Sequence, residues 1–186
     1  MKIYSDFSKD YFNNFFKLFN FDKSFYNKLN QICKKINLAK KNKKKILIFG
    51  NGGSSSIASH FSIDVNKNSG VRCLSITDPT MITCLSNDYK FEKWISKSLE
   101  FYYDKDDIII LISSSGKSKN MLNAAKTAKS LGCKNIITLT GFSNSNPLKK
   151  KGHINIWVDS KNYNFVENIH QILLLSISDF FKEKKL

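Results

Sequence analysis

The chain has 186 residues, 41% of them hydrophobic and 13% aromatic, which is enough for one core and a single domain with at most an appended element. Its formal net charge of +15 rests on lysine, Arg72 being the only arginine; a lysine excess that accompanies abundant Asn, Ile and Phe reads as a solvated surface, whereas a nucleic-acid interface would be expected to use arginine for bidentate contacts. No apolar run reaches the ~18 residues of a membrane span, and Met1-Lys2-Ile3-Tyr4-Ser5-Asp6 carries an acid early with no apolar h-region, so neither a span nor a secretory signal is expected and the cytoplasm is the default.

In chain order, residues 5–20 and 22–41 have helical spacing. Phe7, Tyr11, Phe15, Leu18 and Phe19 lie along the first, and Phe25, Leu29, Ile32, Cys33 and Ile36 along the second. The first is unusually aromatic for an exposed helix and is expected to pack either within the chain or against another subunit. After a basic connector, 40–45, strand and helix alternate. Strands are expected at 46–49, 71–76, 107–112, 135–140 and 154–158, and helices at 54–66, 80–86, 91–102, 118–131 and 164–183. Such alternation predicts an α/β three-layer sandwich around a five-stranded parallel, flavodoxin-like sheet. Two segments are expected, an N-terminal helical segment at 1–44 and a ligand-binding domain at 45–186. Cys33, Cys73, Cys84 and Cys133 are far apart without a C-x-x-C pair and read as small apolar residues.

Two strand ends carry the chemistry. Ile46-Leu47-Ile48-Phe49 ends in Gly50-Asn51-Gly52-Gly53-Ser54-Ser55-Ser56, and Ile108-Ile109-Ile110-Leu111-Ile112 ends in Ser113-Ser114-Ser115-Gly116-Lys117-Ser118. Each is a wholly apolar run that stops in small residues and then opens a helix. Glycines admit close backbone approach, the first N–H groups of the next helix lack intrahelical partners, and serine hydroxyls add donors without charge. Neutral donors of this kind suit one phosphate on a small polar molecule, although Ser54 and Ser118 are also placed to cap helices. A P-loop would need glycine at position 111, where the chain has Leu111. A dinucleotide fingerprint would need a third glycine where Ser55 stands, and the nearest acid after the next strand is the late Asp78.

Gly50-Asn51-Gly52-Gly53-Ser54 with His60-Phe61, then Ser86-Asn87-Asp88, then Ile112 to Ser118, then Ile137-Thr138-Leu139-Thr140-Gly141 resemble, in the same order, the sugar isomerase (SIS) domain family. Within it the sequence is most similar to the phosphoheptose isomerases, which convert sedoheptulose 7-phosphate to a heptose phosphate for lipopolysaccharide or capsule. The resemblance spans about residues 25–183. It implies a homotetramer assembled partly through the N-terminal helices. It also implies that Asn51, Gly52, Gly53, Asn87 and Asp88 face the sugar and that Ser55, Ser113, Ser114, Ser115 and Ser118 hold its phosphate.

Aldose–ketose isomerisation moves a proton between adjacent carbons and needs a base on one side of the substrate. The family supplies it from a histidine and a glutamate on the helix after the first loop and a glutamine and a histidine on the last helix, often around zinc. Here His60 is kept, Asp64 stands at the glutamate, Glu167 at the glutamine and Leu175 at the final histidine; His170 matches a different family histidine and reads as a core or interface residue. Asp64 and Glu167 are therefore the candidate catalytic pair, and His60, Asp64 and Glu167 the candidate zinc ligands. The resemblance leads to a phosphosugar isomerase. The alternative is a catalytically silent SIS protein that binds a phosphosugar or a protein partner. Nucleic-acid binding through the lysine surface is a third reading, disfavoured by the missing arginines.

Overall fold

The computed structural model describes residues 4–184; residues 1–3 and 185–186, the outer ends of the two expected segments, lie outside the described residues. Five strands, β1 Lys45–Phe49, β2 Arg72–Ser75, β3 Ile108–Ser113, β4 Ile136–Thr140 and β5 Ile154–Trp157, form one parallel sheet in the order β2-β1-β3-β4-β5. Among the described residues seven α-helices accompany it: α1 Tyr4–Phe16, α2 Lys23–Lys41, α3 Gly53–Ser69, α4 Pro79–Tyr89, α5 Trp94–Tyr102, α6 Lys119–Ser130 and α7 Tyr163–Lys184. The expected five-stranded α/β sandwich is therefore present. The two continuous apolar runs became its central neighbours because strands buried on both faces have no polar side to show.

Residues alternate between two cores along those strands. Ile46, Ile48, Ile108, Ile110 and Ile112 face one core, with Phe61 and Val65 of α3 and Val166, Ile169 and Leu174 of α7. Leu47, Phe49, Ile109 and Leu111 face the other, with Trp94, Ile95 and Leu99 of α5 and Met121, Ala124 and Ala128 of α6. The expected division at 44/45 falls in the turn between α2 and β1, yet α2 is no separate body: Ile32, Ile36 and Ala39 belong to the first core. Helix α1 buries no residue fully. Its Tyr11 and Phe15 rings rest on Phe165 of α7, with centroids 4.6 and 5.4 Å away, while Tyr4, Phe7, Phe12 and Phe16 are exposed.

Several boundaries differ from the sequence expectation for local reasons. The first helix gives way to a 3₁₀ turn at Lys17–Phe19. The expected helix 91–102 begins as a 3₁₀ turn, Phe91–Lys93, directly after Lys90, whose φ of +72° no α-helix accommodates. Asp78, the acid nearest to the place a dinucleotide fingerprint would need one, is the N-cap of α4: its Oδ1 accepts the N–H of Met81 at 2.9 Å and Pro79 follows it.

The two ends of the sheet differ in chemistry. At the amino end Lys45, nearly buried, donates to Asp104 and Asp107, each at 2.6 Å. At the carboxyl end the register sets Phe49 beside Leu111 and Ser113 beside Thr140, so the loops that leave β1 and β3 lie side by side. The chain changes its direction of travel across the sheet between these two strands, which is where open α/β sheets form their ligand crevice.

Candidate active site

The loop after β1 turns through Gly52, at φ +53°, and α3 begins at Gly53 with Gly52 as its N-cap and no side chain capping it. Gly53 matters for another reason: a Cβ there would overlap the carboxylate of Glu167 on α7. That missing side chain lets Glu167 lie over the first turn of α3, where Ser54 Oγ donates to its Oε1 at 3.3 Å. A carboxylate is favoured at this position because helix N-termini carry partial positive charge.

The loop after β3 is built differently. Gly116 N–H returns to the Ser113 carbonyl at 2.9 Å and Gly141 N–H donates to the Ser114 carbonyl at 2.8 Å, which fixes the backbone of the serine loop against the end of β4. Ser118 stands at the N-cap of α6 but does not cap it; its hydroxyl pairs with that of Ser113 at 3.1 Å. Ser114 Oγ is buried and has no protein partner. The serines are thus not consumed as helix caps, and their hydroxyls surround a cavity of about 120 Å³.

Ser113, Ser114, Ser115 and Ser118 line that cavity on one side, and Asn51, Ser54, Tyr163 and Glu167 on the other. No Lys, Arg or His is among the lining residues. Of the two helix N-termini that meet here, that of α3 already holds the Glu167 carboxylate. Ser118 does not cap α6, and of its first N–H groups that of Met121 goes to Asn120 Oδ1, so an anionic group placed there would be held by neutral hydroxyls and the remaining backbone N–H groups.

Some of the expected residues are elsewhere. Ser54 rather than Ser55 reaches the cavity, because α3 starts at Gly53 and the two side chains point about 100° apart. Asn87 and Asp88 do not line it: Asn87 Nδ2 donates to Asp88 Oδ1 at 3.0 Å, and Asp88 lies in a wider, more open cleft with Tyr89, Glu92 and Lys119 beside the start of α6.

His60 and Asp64 face each other on the outer flank of α3, Nε2 to Oδ2 at 3.4 Å, and Gln171 Nε2 approaches His60 Nδ1 at 3.4 Å. Helices α3 and α7 run side by side in the same direction, so Glu167 meets Ser54 while Gln171, one turn on, meets His60. The three candidate zinc ligands are therefore split between two places. Among the described residues no group of three His, Cys, Asp or Glu side chains converges. The donors of one chain do not fit a zinc site.

His170 is wholly buried. Its Nε2 donates to the Thr140 carbonyl at 3.2 Å, Nδ1 has no partner, and burial holds its pKa down to about 4. It is a neutral core histidine, as the sequence suggested, and takes no part in the cavity.

Sequence reasoning missed Asn120 and Tyr163. Asn120 is buried and exchanges two amide hydrogen bonds with Asn51, at 2.8 and 3.0 Å. Its signal was a polar residue four positions before Ala124, inside the apolar stripe of α6. Tyr163 lies one turn before Glu167 on the same face of α7.

Known proteins agree with this architecture. Residues 10–141 match the family described as SIS domain. A phosphoheptose isomerase of Helicobacter pylori (strain P12) is 33% identical over 144 residues, covering 74% of this chain and 74% of that one. The chain belongs to the SIS domain family, in its phosphoheptose isomerase group. A probable phosphoheptose isomerase of Thermoplasma acidophilum is 31% identical over 159 residues, covering 82% of this SIS chain and 86% of its relative. The structure of a phosphoheptose isomerase from Francisella tularensis superposes with a TM-score of 0.86 at 25% identity, over 98% of this SIS chain and 100% of that chain.

Proposed function

We propose that this chain is an aldose–ketose isomerase acting on a sugar phosphate of the heptose class. The observation that carries the reading is one carboxylate, Glu167, fixed at the edge of a cavity whose opposite wall is four serines and the N-terminus of a helix. The serine wall takes the phosphate. Glu167 then removes the proton from the carbon next to the substrate carbonyl and the electron pair moves onto the carbonyl oxygen to give an enediolate; the hydroxyl proton of the first carbon passes to that oxygen, and the same carboxyl returns its proton to the former carbonyl carbon, which leaves the new carbonyl on the first. Ser54 holds that carboxylate in place, and the phosphoheptose isomerases similar to this chain support heptose as the substrate class.

The same reading extends to a homotetramer assembled through the exposed Tyr4, Phe7, Phe12 and Phe16 rings of α1, and to a cytoplasmic role in making heptose for surface polysaccharide. No helix among the described residues is long and apolar enough to cross a membrane.

The test is turnover of sedoheptulose 7-phosphate by the wild type and by Glu167→Gln. Loss of the base is expected to lower kcat by ~10²- to 10⁴-fold while inorganic phosphate binds as before or more tightly, a negative charge having been removed from the cavity. Full activity in Glu167→Gln would take the base role from Glu167. A wild type that binds the sugar phosphate without turning it over would instead establish the binding or regulatory protein that Leu175, at the family's histidine position, favours.

A further inference from the structure

We propose that Tyr163 is a specificity-determining residue that selects sugar phosphates by chain length, its ring forming the wall over which the carbons beyond the phosphate leave the serine cavity. The inference rests on the phosphosugar reading above and adds to it a residue and a selection rule.

Tyr163 opens α7 and lines the cavity together with Glu167, one turn further along. It is 57% exposed, so its ring stands at the rim and not at the floor. A partner holds it there: the rings of Tyr163 and Phe142 lie 4.7 Å apart, tilted by 57°. Phe142 adopts φ +56°, a left-handed conformation that a bulky residue takes only when its surroundings impose it.

The imposing contacts are visible. Phe142 N–H donates to the Ser160 carbonyl at 2.8 Å, and Gly141 N–H, one residue earlier, donates to the Ser114 carbonyl at 2.8 Å. A strained backbone tied to the phosphate loop on one side therefore presses an aromatic ring against the residue at the cavity mouth. Strain of this kind gathers where a side chain must be aimed.

Size gives the ring its task. A cavity of about 120 Å³ is well short of the ~300 Å³ at which pockets begin to enclose a whole small molecule. It accepts a phosphate group and the carbons next to it, and a seven-carbon sugar must continue outside. Tyr163 is the only aromatic side chain among the lining residues. Its face suits sugar C–H groups and its phenol a sugar hydroxyl, whereas the Glu167 carboxylate is already held by Ser54. A five-carbon sugar phosphate, anchored at the same serines, places fewer carbons against the ring.

The experiment measures Kd by calorimetry for inorganic phosphate, ribulose 5-phosphate and sedoheptulose 7-phosphate, with turnover of the two sugars alongside. Tyr163→Ala is expected to weaken sedoheptulose 7-phosphate by about tenfold, ribulose 5-phosphate by less, and inorganic phosphate not at all. Tyr163→Phe should recover most of the loss, and Phe142→Gly, which removes the brace together with the strained φ, should reproduce the Tyr163→Ala pattern among the three ligands while lowering Tm, because the Phe142 ring also packs against the core. Equal weakening of all three ligands, or of none, would overturn the proposal. Absence of turnover with this binding pattern intact counts against the isomerase reading alone, since selection by length is read from binding.

Discussion

Asn51 and Asn120, 69 residues apart, present their amides to each other in register: Asn120 Nδ2 donates to Asn51 Oδ1 at 2.8 Å, and Asn51 Nδ2 donates to Asn120 Oδ1 at 3.0 Å. The pair spans the two central strand ends and joins the loop that opens α3, on whose first turn Glu167 rests, with the helix that follows the phosphate serines. Asn120 Oδ1 also accepts the N–H of Met121 at 3.0 Å. The orientation of Asn51 at the cavity wall is therefore set from α6.

Asn120→Ala leaves the Asn51 amide without either partner in a half-buried place, and an unsatisfied polar group there costs about 1–3 kcal/mol. Urea unfolding is expected to show a loss of that size. Steady-state kinetics should show a raised KM for sedoheptulose 7-phosphate, because Asn51 is no longer aimed, while the Kd of inorganic phosphate stays within about twofold since the serines are untouched. An unchanged KM would remove Asn120 from the positioning of the site.

Gly53 yields a prediction in which stability and activity part. Its position at the start of α3 needs no left-handed backbone, so alanine there is neutral or stabilising by up to ~1 kcal/mol. The added methyl nevertheless overlaps the Glu167 carboxylate and must displace it from Ser54. Gly53→Ala should keep or raise Tm while kcat falls at least about tenfold, since a base misplaced by 1 Å loses rate steeply. Wild-type kcat in Gly53→Ala would show that the seat over α3 is not the working position of Glu167.

The contrast between Ser54 and Ser55 shows how far the sequence could be read. The strands at 46–49 and 108–112 were legible because a strand buried on both faces is an unbroken apolar run, and the small-residue loops were legible because composition changes abruptly at their ends. Which serine of a run faces the cavity depends on the phase of the helix, which a motif match does not carry: the resemblance pointed to Ser55, and α3 turns Ser54 toward the cavity. Asn120 and Tyr163 depended on packing that no local pattern encodes: one meets a loop 69 positions earlier, and the other is aimed by a left-handed Phe142. Asp88 followed the motif order, but it stands on the last turn of α4, whose end lines the neighbouring cleft.

His170 makes stability depend on pH in a window that can be named. Its pKa is lowered from the ordinary 6.5 to about 4, chiefly by burial and against the hydrogen bond to Thr140, which works the other way. Above pH 6.5 the imidazole is neutral in both folded and unfolded chains and contributes no pH dependence. As pH falls below that value the unfolded chain takes up a proton that the folded chain refuses until about pH 4, so stability is lost through this window, on the order of 3 kcal/mol in all. His153, whose Nδ1 accepts the N–H of Ile136 at 3.0 Å, has its pKa lowered too, first by burial and then by Lys129 and Lys35, and contributes with the same sign. Asp104, held down by Lys45, loses its contribution only at more acid pH. Glutamine at position 170 keeps an amide donor for the Thr140 carbonyl and cannot titrate. His170→Gln should therefore be less stable than the wild type at pH 7.5, through imperfect packing, yet show a markedly flatter fall in unfolding free energy between pH 6.5 and 4.5. Parallel curves for the two proteins across that range would place the acid sensitivity elsewhere.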